Sequence, residues 1–161
     1  MQQDLFGVVD LDSIPKKKRN KPLNIHLKLG KVCIGKKTFI CRAIPYSPNY
    51  LNKKHWAVRA RWKDAWEQEI WGRWMESRGE WKDYSFPLPF KIILTAHFFC
   101  IREQDYDNAI ASLKGIIDGI VKAGIIKDDT YNHIVPKVKF VPVKTKAAEH
   151  VEILINKYVR K

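Results

Sequence analysis

The chain has 161 residues, of which 45% are hydrophobic and 12% aromatic, and its formal net charge is +13. This length and composition predict one folded domain with a sizeable core and exclude an intrinsically disordered chain. The positive charge favours a polyanionic partner, and because no apolar run approaches the roughly 18 residues of a membrane span, the sequence favours nucleic acid over a membrane.

The N-terminal 22 residues show no sustained hydrophobic periodicity, so we expect a flexible tail at 1 to 22 followed by one domain at 23 to 161. Within the tail, Gln2-Gln3-Asp4-Leu5-Phe6 resembles the short peptide with which bacterial replication and repair proteins dock on the sliding clamp. The resemblance implies a clamp contact through Gln2, Leu5 and Phe6. A frayed terminus without such a partner is the alternative.

Residues 23 to 43 alternate apolar and polar positions, with Gly30 and Gly35 at expected turns, and predict one or two antiparallel hairpin strands. The chain has three cysteines, Cys33, Cys41 and Cys100. Because this is an odd number and the spacing forms no metal-ligand pair, we expect a reduced, intracellular compartment.

A long helix is predicted over residues 53 to 78, after a loop at 44 to 52 in which two prolines favour extended geometry. Trp62, Trp66, Ile70 and Trp74 repeat every four residues along this helix. Such an apolar stripe must be covered, either by the sheet of the same chain or by a second subunit. The sequence leaves both possibilities open.

The start of this helix mixes bases with aromatic side chains, a combination that suits phosphate contacts and stacking on exposed bases. Residues 1 to 61 carry fourteen Lys and Arg against three acids, whereas the rest of the chain carries sixteen against fourteen. The candidate DNA-binding residues are Lys53, Lys54, His55, Arg59 and Arg61. The alternative is that the tryptophans among them, Trp56 and Trp62, are simply core residues.

Residues 90 to 101 are apolar and β-branched, and they predict a buried strand that leads directly into an acidic segment. Two alternating segments, 134 to 143 and 151 to 159, predict a closing hairpin. Pro136 and Pro142 favour an edge position or a bulge for its first strand. The order of these elements predicts an α+β fold, with a mixed sheet of four to six strands and two main helices packed largely on one face.

The acidic segment, residues 105 to 129, has carboxylates at both ends of an apolar helical pattern. On a helical wheel of about 100° per residue, Asp107, Lys114 and Asp118 share a narrow polar stripe opposite the apolar side. Asp107 suits the helix N-cap, and Gly124 suits the position just after the C-terminus. These features alone fit an ordinary capped amphipathic helix with a solvated ion-pair stripe.

Helix capping explains one aspartate of this segment but not all four that flank the helix. Hard oxygen ligands suit magnesium, and sites that cleave phosphodiesters need carboxylates to hold such an ion near the scissile phosphate. A nearby lysine can offset the charge of the phosphate. The candidate metal ligands are Asp105, Asp107, Asp128 and Asp129.

The pattern Asp-x-Asp-Asn, a downstream Lys, an Asp four residues on, then Gly and a closing Asp-Asp resembles the signature of the RusA family of Holliday-junction resolvases. The matching positions are Asp105, Asp107, Asn108, Lys114, Asp118, Gly124 and Asp129. The resemblance covers residues 38 to 158 and implies a RusA-like homodimer in the cytoplasm of a bacterial or phage-infected cell. It implies magnesium as the cofactor, with manganese as a substitute, metal-binding or catalytic roles for Asp105, Asp107 and Asp129, and an essential basic role for Lys114.

The position of the lysine departs from the family pattern. There it follows the second aspartate by four residues, whereas Lys114 follows Asp107 by seven. Both offsets return to nearly the same helical face, but the position along the axis differs by roughly 4.5 Å. Lys114 is therefore expected to contact a phosphate rather than the metal.

The distance along the helix raises a difficulty for a site within one chain. If residues 108 to 123 form one straight helix, Asp107 and Gly124 lie about 24 Å apart. The five residues from Gly124 to Asp129 span at most about 18 Å when extended. Unless the helix is shorter or bent, a homodimer in which Asp129 comes from the other subunit would complete the site.

The leading prediction is a magnesium-dependent, structure-specific endodeoxyribonuclease that hydrolyses phosphodiesters in Holliday junctions or related branched DNA. One alternative is a non-catalytic DNA-binding module in which the acids are structural. Another is a nuclease that acts on flaps or replication forks. Salt-dependent DNA binding is expected of all of them, so only cleavage of defined substrates separates them.

Overall fold

The computed structural model describes residues 21–35 and 40–160. The strands are β1 (Asn24–Leu29), β2 (Val32–Ile34), β3 (Ile40–Arg42), β4 (Ile92–Cys100), β5 (Ile134–Pro142) and β6 (His150–Lys157), and the α-helices are α1 (Pro48–Leu51), α2 (Trp56–Ser77), α3 (Tyr106–Ser112) and α4 (Lys114–Lys122). The predicted clamp peptide, with Gln2, Leu5 and Phe6, lies outside the described residues and stays a prediction.

The main sheet has four strands in the order β1-β6-β4-β5. Strand β4 pairs in parallel with β5 and antiparallel with β6, so the predicted closing hairpin between the last two strands is wrong. The most apolar strand lies between them, because it is the strand that gains most from neighbours on both sides. The expected edge position of β5 is confirmed, and its prolines lie opposite Leu94 and Cys100 of β4.

The N-terminal strands divide between two sheets. Strands β2 and β3 form an antiparallel pair around Gly35, which has a φ of 120°, as the predicted turn requires. Strand β1 pairs instead with β6, since its apolar face then continues that of the main sheet. A hairpin is therefore confirmed for β2 and β3 only.

The cysteines of β2 and β3 are directly opposite each other. Cys33 and Cys41 are register partners with Cα atoms 4.1 Å apart, and they form a disulfide, while Cys100 is free and buried. Burial raises the pKa of the Cys100 thiol, with the nearby Glu103 and Glu149 acting in the same direction. Disulfides are rare in reducing compartments, so the pair weighs against the reduced state expected from the odd cysteine count.

Helix α2 is the longest element and carries the predicted tryptophan stripe. It begins at Trp56, after His55, whose Nδ1 accepts a hydrogen bond of 3.3 Å from the Ala57 amide. The stripe is buried, at Trp62, Trp66, Ile70 and Trp74. Helix α4 and strand β1 of the same chain pack on α2, which decides the question of what covers the stripe.

One face of the main sheet is buried and the other is more open. Along β4 and β6, buried positions alternate with half-buried ones, as expected for a sheet with helices on one face. The predicted α+β fold with a mixed sheet is confirmed. No helix of the described part of the chain combines the length and the apolar character needed to cross a membrane.

Candidate active site

The first part of the site is the start of α3, just after the central strand β4. Asp105 is the N-cap residue of α3, and Asp107 lies in the first turn, so the predicted N-cap role of Asp107 is wrong by two positions. The Asp105 side chain makes no cap hydrogen bond. Instead, its Oδ2 lies 3.5 Å from Nδ2 of Asn108, whose Oδ1 lies 3.4 Å from Nδ2 of Asn49. Both aspartates are exposed, on a loop-to-helix junction that Asn49 ties to the segment before α2.

The second part of the site follows a break in the predicted helix. At Leu113 the turn tightens, because its amide donates to the Ile110 carbonyl three residues back at 3.1 Å, so α3 and α4 meet at a bend and do not form one straight helix over 108 to 123. Gly124, with a φ of 73°, ends α4 in the left-handed conformation predicted for it. After the bend, Asp129 accepts a hydrogen bond from Lys114 of the same chain. Among the described residues Asp129 forms no metal-holding group with Asp105 and Asp107, so a site completed by Asp129 of a second subunit stays a prediction.

Lys114 is one member of a chain of alternating charges that joins α4 to α2. In order, the residues are Lys122, Glu67, Lys63, Asp118, Lys114 and Asp129. Nζ of Lys63 lies 3.5 Å from Oε1 of Glu67 and 3.0 Å from Oδ2 of Asp118. Nζ of Lys114 lies 2.8 Å from Oδ1 of Asp118. Lys114 is thus held from two sides by carboxylates.

The pKa values of Asp118 and Lys114 follow from their contacts within this series of ion pairs. Partial burial raises the pKa of Asp118, but hydrogen bonds from Lys114 and Lys63 outweigh it and hold the pKa below its usual value. Hydrogen bonds to Asp118 and then Asp129 raise the pKa of Lys114. Lys114 is therefore a fixed positive charge at neutral pH rather than a proton donor.

The lowered pKa of Asp118 predicts a contribution to acid unfolding. A carboxylate with a depressed folded-state pKa stabilises the protein fully above its unfolded-state pKa, about 4, and loses that contribution as the pH falls through the folded-state value. We expect the unfolding free energy of the wild type to fall more steeply below about pH 4 than that of Asp118→Asn. For one proton, the extra slope is at most about 1.4 kcal/mol per pH unit.

Urea unfolding at a series of pH values checks this expectation, with Asp83→Asn, a change at an exposed aspartate, as the control. Equal acid slopes for the wild type and Asp118→Asn would contradict it.

Asp128 is engaged in a local turn. Its Oδ1 accepts hydrogen bonds from the amide of Thr130 at 3.0 Å and from the Thr130 hydroxyl at 2.6 Å, and it lies 2.7 Å from Nδ1 of His133. Hydrogen bonds from Thr130, with a smaller effect of His133, lower the pKa of Asp128. In this arrangement the carboxylate fixes the turn before β5, and its metal-binding role stays a prediction.

A cavity of about 740 Å³ lies beside Asp105. Basic side chains line it at Arg42, Arg102 and Lys146, acidic ones at Glu103, Asp105 and Glu149. A smaller cleft of about 320 Å³ adjoins it, since Pro45 and Tyr46 line both. Lys114 lines the smaller cleft, so Asp105 and Lys114 border two neighbouring spaces.

The predicted DNA-binding residues do not share one surface. Lys53, Lys54 and His55 are exposed just before α2. Arg59 lines the smaller cleft, whereas Arg61 lines a separate crevice beside Cys33. Trp56 is 67% exposed and Trp62 is 3% exposed, so the core interpretation holds for Trp62 and is wrong for Trp56.

Sequence reasoning missed a series of cation and aromatic contacts at the larger cavity. The Arg42 guanidinium lies 4.3 Å from the ring centroid of Tyr46, which stacks on Tyr50 at 4.1 Å. Nζ of Lys54 lies 4.7 Å from the Tyr50 ring centroid. The four residues are spaced by four in the sequence, a signal that was available across the predicted loop at 44 to 52 and its two flanks.

Lys63 and Glu67 were also missed. Their spacing of four residues on a predicted helix was the available signal for an ion pair, and their contact with α4 required the tertiary structure.

The candidate ligands show whether the site has suitable donor groups for a magnesium ion. In the described residues, 21–35 and 40–160, no three or more His, Cys, Asp or Glu side chains form a group able to hold a metal ion. Magnesium, however, is commonly bound by one or two carboxylates with waters and substrate phosphates. Asp105 and Asp107 are exposed near the end of β4 and have the carboxylate chemistry for that mode, while Asp129 is engaged by Lys114.

No protein-family model matches the sequence, and comparison with curated proteins finds no significant match. The resemblance to the RusA signature therefore rests on the residues of the acidic segment.

Proposed function

We propose that this chain is a magnesium-dependent endodeoxyribonuclease of the RusA type that cleaves branched DNA. The observation that carries the proposal is the exposed pair Asp105 and Asp107 at the end of the central strand, beside a cavity lined by Arg42, Arg102 and Lys146. Carboxylates next to a cavity lined by both cations and acids suit a reaction in which a metal ion and a phosphodiester must be bound together. The formal charge of +13 supports a polyanionic substrate.

Asp105 and Asp107 would hold the magnesium ion, which would neutralise charge on the phosphate and activate a water molecule. The cations of the larger cavity would bind the DNA backbone without reading its sequence. Lys114, kept protonated by Asp118 and Asp129, would stabilise negative charge on a phosphate at the smaller cleft. Asp129 would then orient Lys114 rather than bind the metal.

The partners that follow from this proposal are branched DNA and a second copy of the chain. A two-fold dimer would present two such sites to the symmetric arms of a four-way junction. A sliding clamp bound through Gln2, Leu5 and Phe6 would bring the enzyme to replicating or repaired DNA.

A synthetic four-way junction tests the activity. We expect paired nicks near the branch point in the presence of magnesium, reduced cleavage of linear duplex, and no cleavage when magnesium is removed with a chelator. Flap and fork substrates in the same experiment distinguish a junction resolvase from a nuclease for other branches. Absence of cleavage on every branched substrate, with magnesium or manganese, would contradict the proposal.

The engagement of Asp118, Asp128 and Asp129 with other side chains favours a second candidate, a DNA-binding module without catalysis. In that case the acids would be structural, and the chain would bind junctions without cutting them. The junction experiment separates the two, because binding and cleavage are measured on the same substrate.

A further inference from the structure

The smaller cleft differs from the larger cavity in its chemistry. Its apolar and aromatic lining is formed by Pro45, Tyr46, Pro48, Leu51, Trp62 and Trp66. Its charged lining residues are Arg59, Lys63 and Lys114, and within residues 21–35 and 40–160 no acid lines it, whereas three acids line the larger cavity. Trp62 and Trp66 are almost fully buried and form the apolar wall of the cleft. An apolar cleft with a cationic rim suits a planar, apolar group that belongs to an anionic chain.

The floor of the cleft is made of small residues on α3 and α4. Ala111 is exposed there, next to Ser112 and Gly115. A Cβ atom added at Gly115 would lie 3.4 Å from Cβ of Trp66, so this floor approaches α2 closely. The space of about 320 Å³ is at the small end of ligand pockets, which suits one ring system rather than a stack of several.

The rim supplies a cation for a phosphate. Lys63 and Lys114 both contact Asp118, so part of their charge is neutralised locally. Arg59 takes part in no ion pair among the described residues. Its guanidinium is thus the rim group whose charge is available to a nucleic-acid backbone.

From these features we propose that the smaller cleft binds one unpaired nucleobase extruded from branched DNA. The proposal rests on the proposed function for its substrate, and adds that the enzyme removes a base from the stack beside the cleaved strand. Extrusion costs least where a base is already unpaired or poorly stacked, as at a branch point. The shared lining residues Pro45 and Tyr46 put the cleft next to the cavity of Asp105, so the base would be close to the bound phosphate.

A variant that fills the cleft tests the proposal. Ala111→Leu adds bulk at an exposed helical position without changing charge, and leucine is a good helix former. Ala60→Leu makes the same change at an exposed position of α2 that is not among the lining residues of the cleft. Thermal unfolding of both variants shows whether each retains the wild-type fold.

The measurement is the affinity for a labelled four-way junction in calcium instead of magnesium, in which one nucleotide near the branch point at a time is replaced by an abasic one. We expect Ala111→Leu to weaken binding of the intact junction by about fivefold to 100-fold, the effect of one stacked base, and Ala60→Leu to bind like the wild type. At one position, the abasic replacement should change the affinity of the wild type and leave that of Ala111→Leu unchanged. This coupling identifies the extruded base.

Two results would overturn the proposal that the smaller cleft binds a base. One is equal affinity of Ala111→Leu and Ala60→Leu for the intact junction. The other is independent, multiplicative effects of Ala111→Leu and the abasic nucleotide at every position. Neither depends on cleavage, so a wild type that binds junctions with this coupling but never cuts them would overturn the nuclease proposal alone.

Discussion

Asp107→Asn is expected to reduce magnesium-dependent cleavage of a four-way junction by about 10³-fold or more, while junction binding is retained or strengthened. The substitution removes a carboxylate that would hold the metal and changes the size of the side chain very little. Asp107 is exposed in the first turn of α3, so folding should lose no more than about 1 kcal/mol of helix-terminus stabilisation. Removing a negative charge beside bound DNA favours binding.

The matched control is Asp83→Asn, the same chemical change at an exposed aspartate between α2 and β4. Cleavage rates under single-turnover conditions and affinities measured without magnesium give the two quantities separately. Asp107→Asn with wild-type cleavage would exclude the carboxylate from the reaction. Equal loss of binding and cleavage would indicate a structural role instead.

The alternating pattern of the sequence correctly predicted which side chains of the strands are buried. The alternation in β1 and β6 places Ile25, Leu27, Val151 and Ile153 on the buried face, as in the structure. The prolines of β5 predicted an edge strand because they remove ladder donors. The pairing of the strands was harder to predict, because the neighbours of β5 and β6 depend on which strand lies at the centre of the sheet. Local periodicity contains no information about that choice.

The residues of the candidate site could be predicted from the sequence, but their arrangement in space could not. The sequence singled out Asp105, Asp107, Lys114 and Asp129, but the wheel assumed one continuous helix. The interruption at Leu113 has no proline or glycine at its position to signal it. The wheel also gave no sign that Lys114 pairs with Asp129 in the same chain, a contact that depends on the return of the chain after Gly124.

The packing of α4 on α2 is what positions Lys114 and Asp118, and it depends on a close approach at Gly119. A Cβ atom added there would lie 3.0 Å from Cα of Glu67 and 3.0 Å from Cβ of Ile70. The first of these atoms is backbone, so it cannot move aside without shifting α2. A Cβ added at Gly72, within α2, meets no atom of the described part of the chain within 4 Å.

Gly119→Ala and Gly72→Ala are therefore expected to change stability in opposite directions. Alanine favours a helix over glycine by about 1 kcal/mol, so Gly72→Ala should stabilise the protein by roughly 0.5–1 kcal/mol. At Gly119 the same gain is opposed by overpacking of about 1–3 kcal/mol, so that variant should be less stable than the wild type by up to about 2 kcal/mol. Gly119→Val, with a larger and β-branched side chain, should lose more.

Urea unfolding at neutral pH measures these differences, and the cleavage assay adds a second readout. Because Lys114 begins α4, displacement of this helix by Gly119→Ala should also lower cleavage, whereas Gly72→Ala should leave it unchanged. If Gly119→Ala stabilises the protein as much as Gly72→Ala does, the two helices have room for the methyl group. The close approach would then not be what holds the lysine in place.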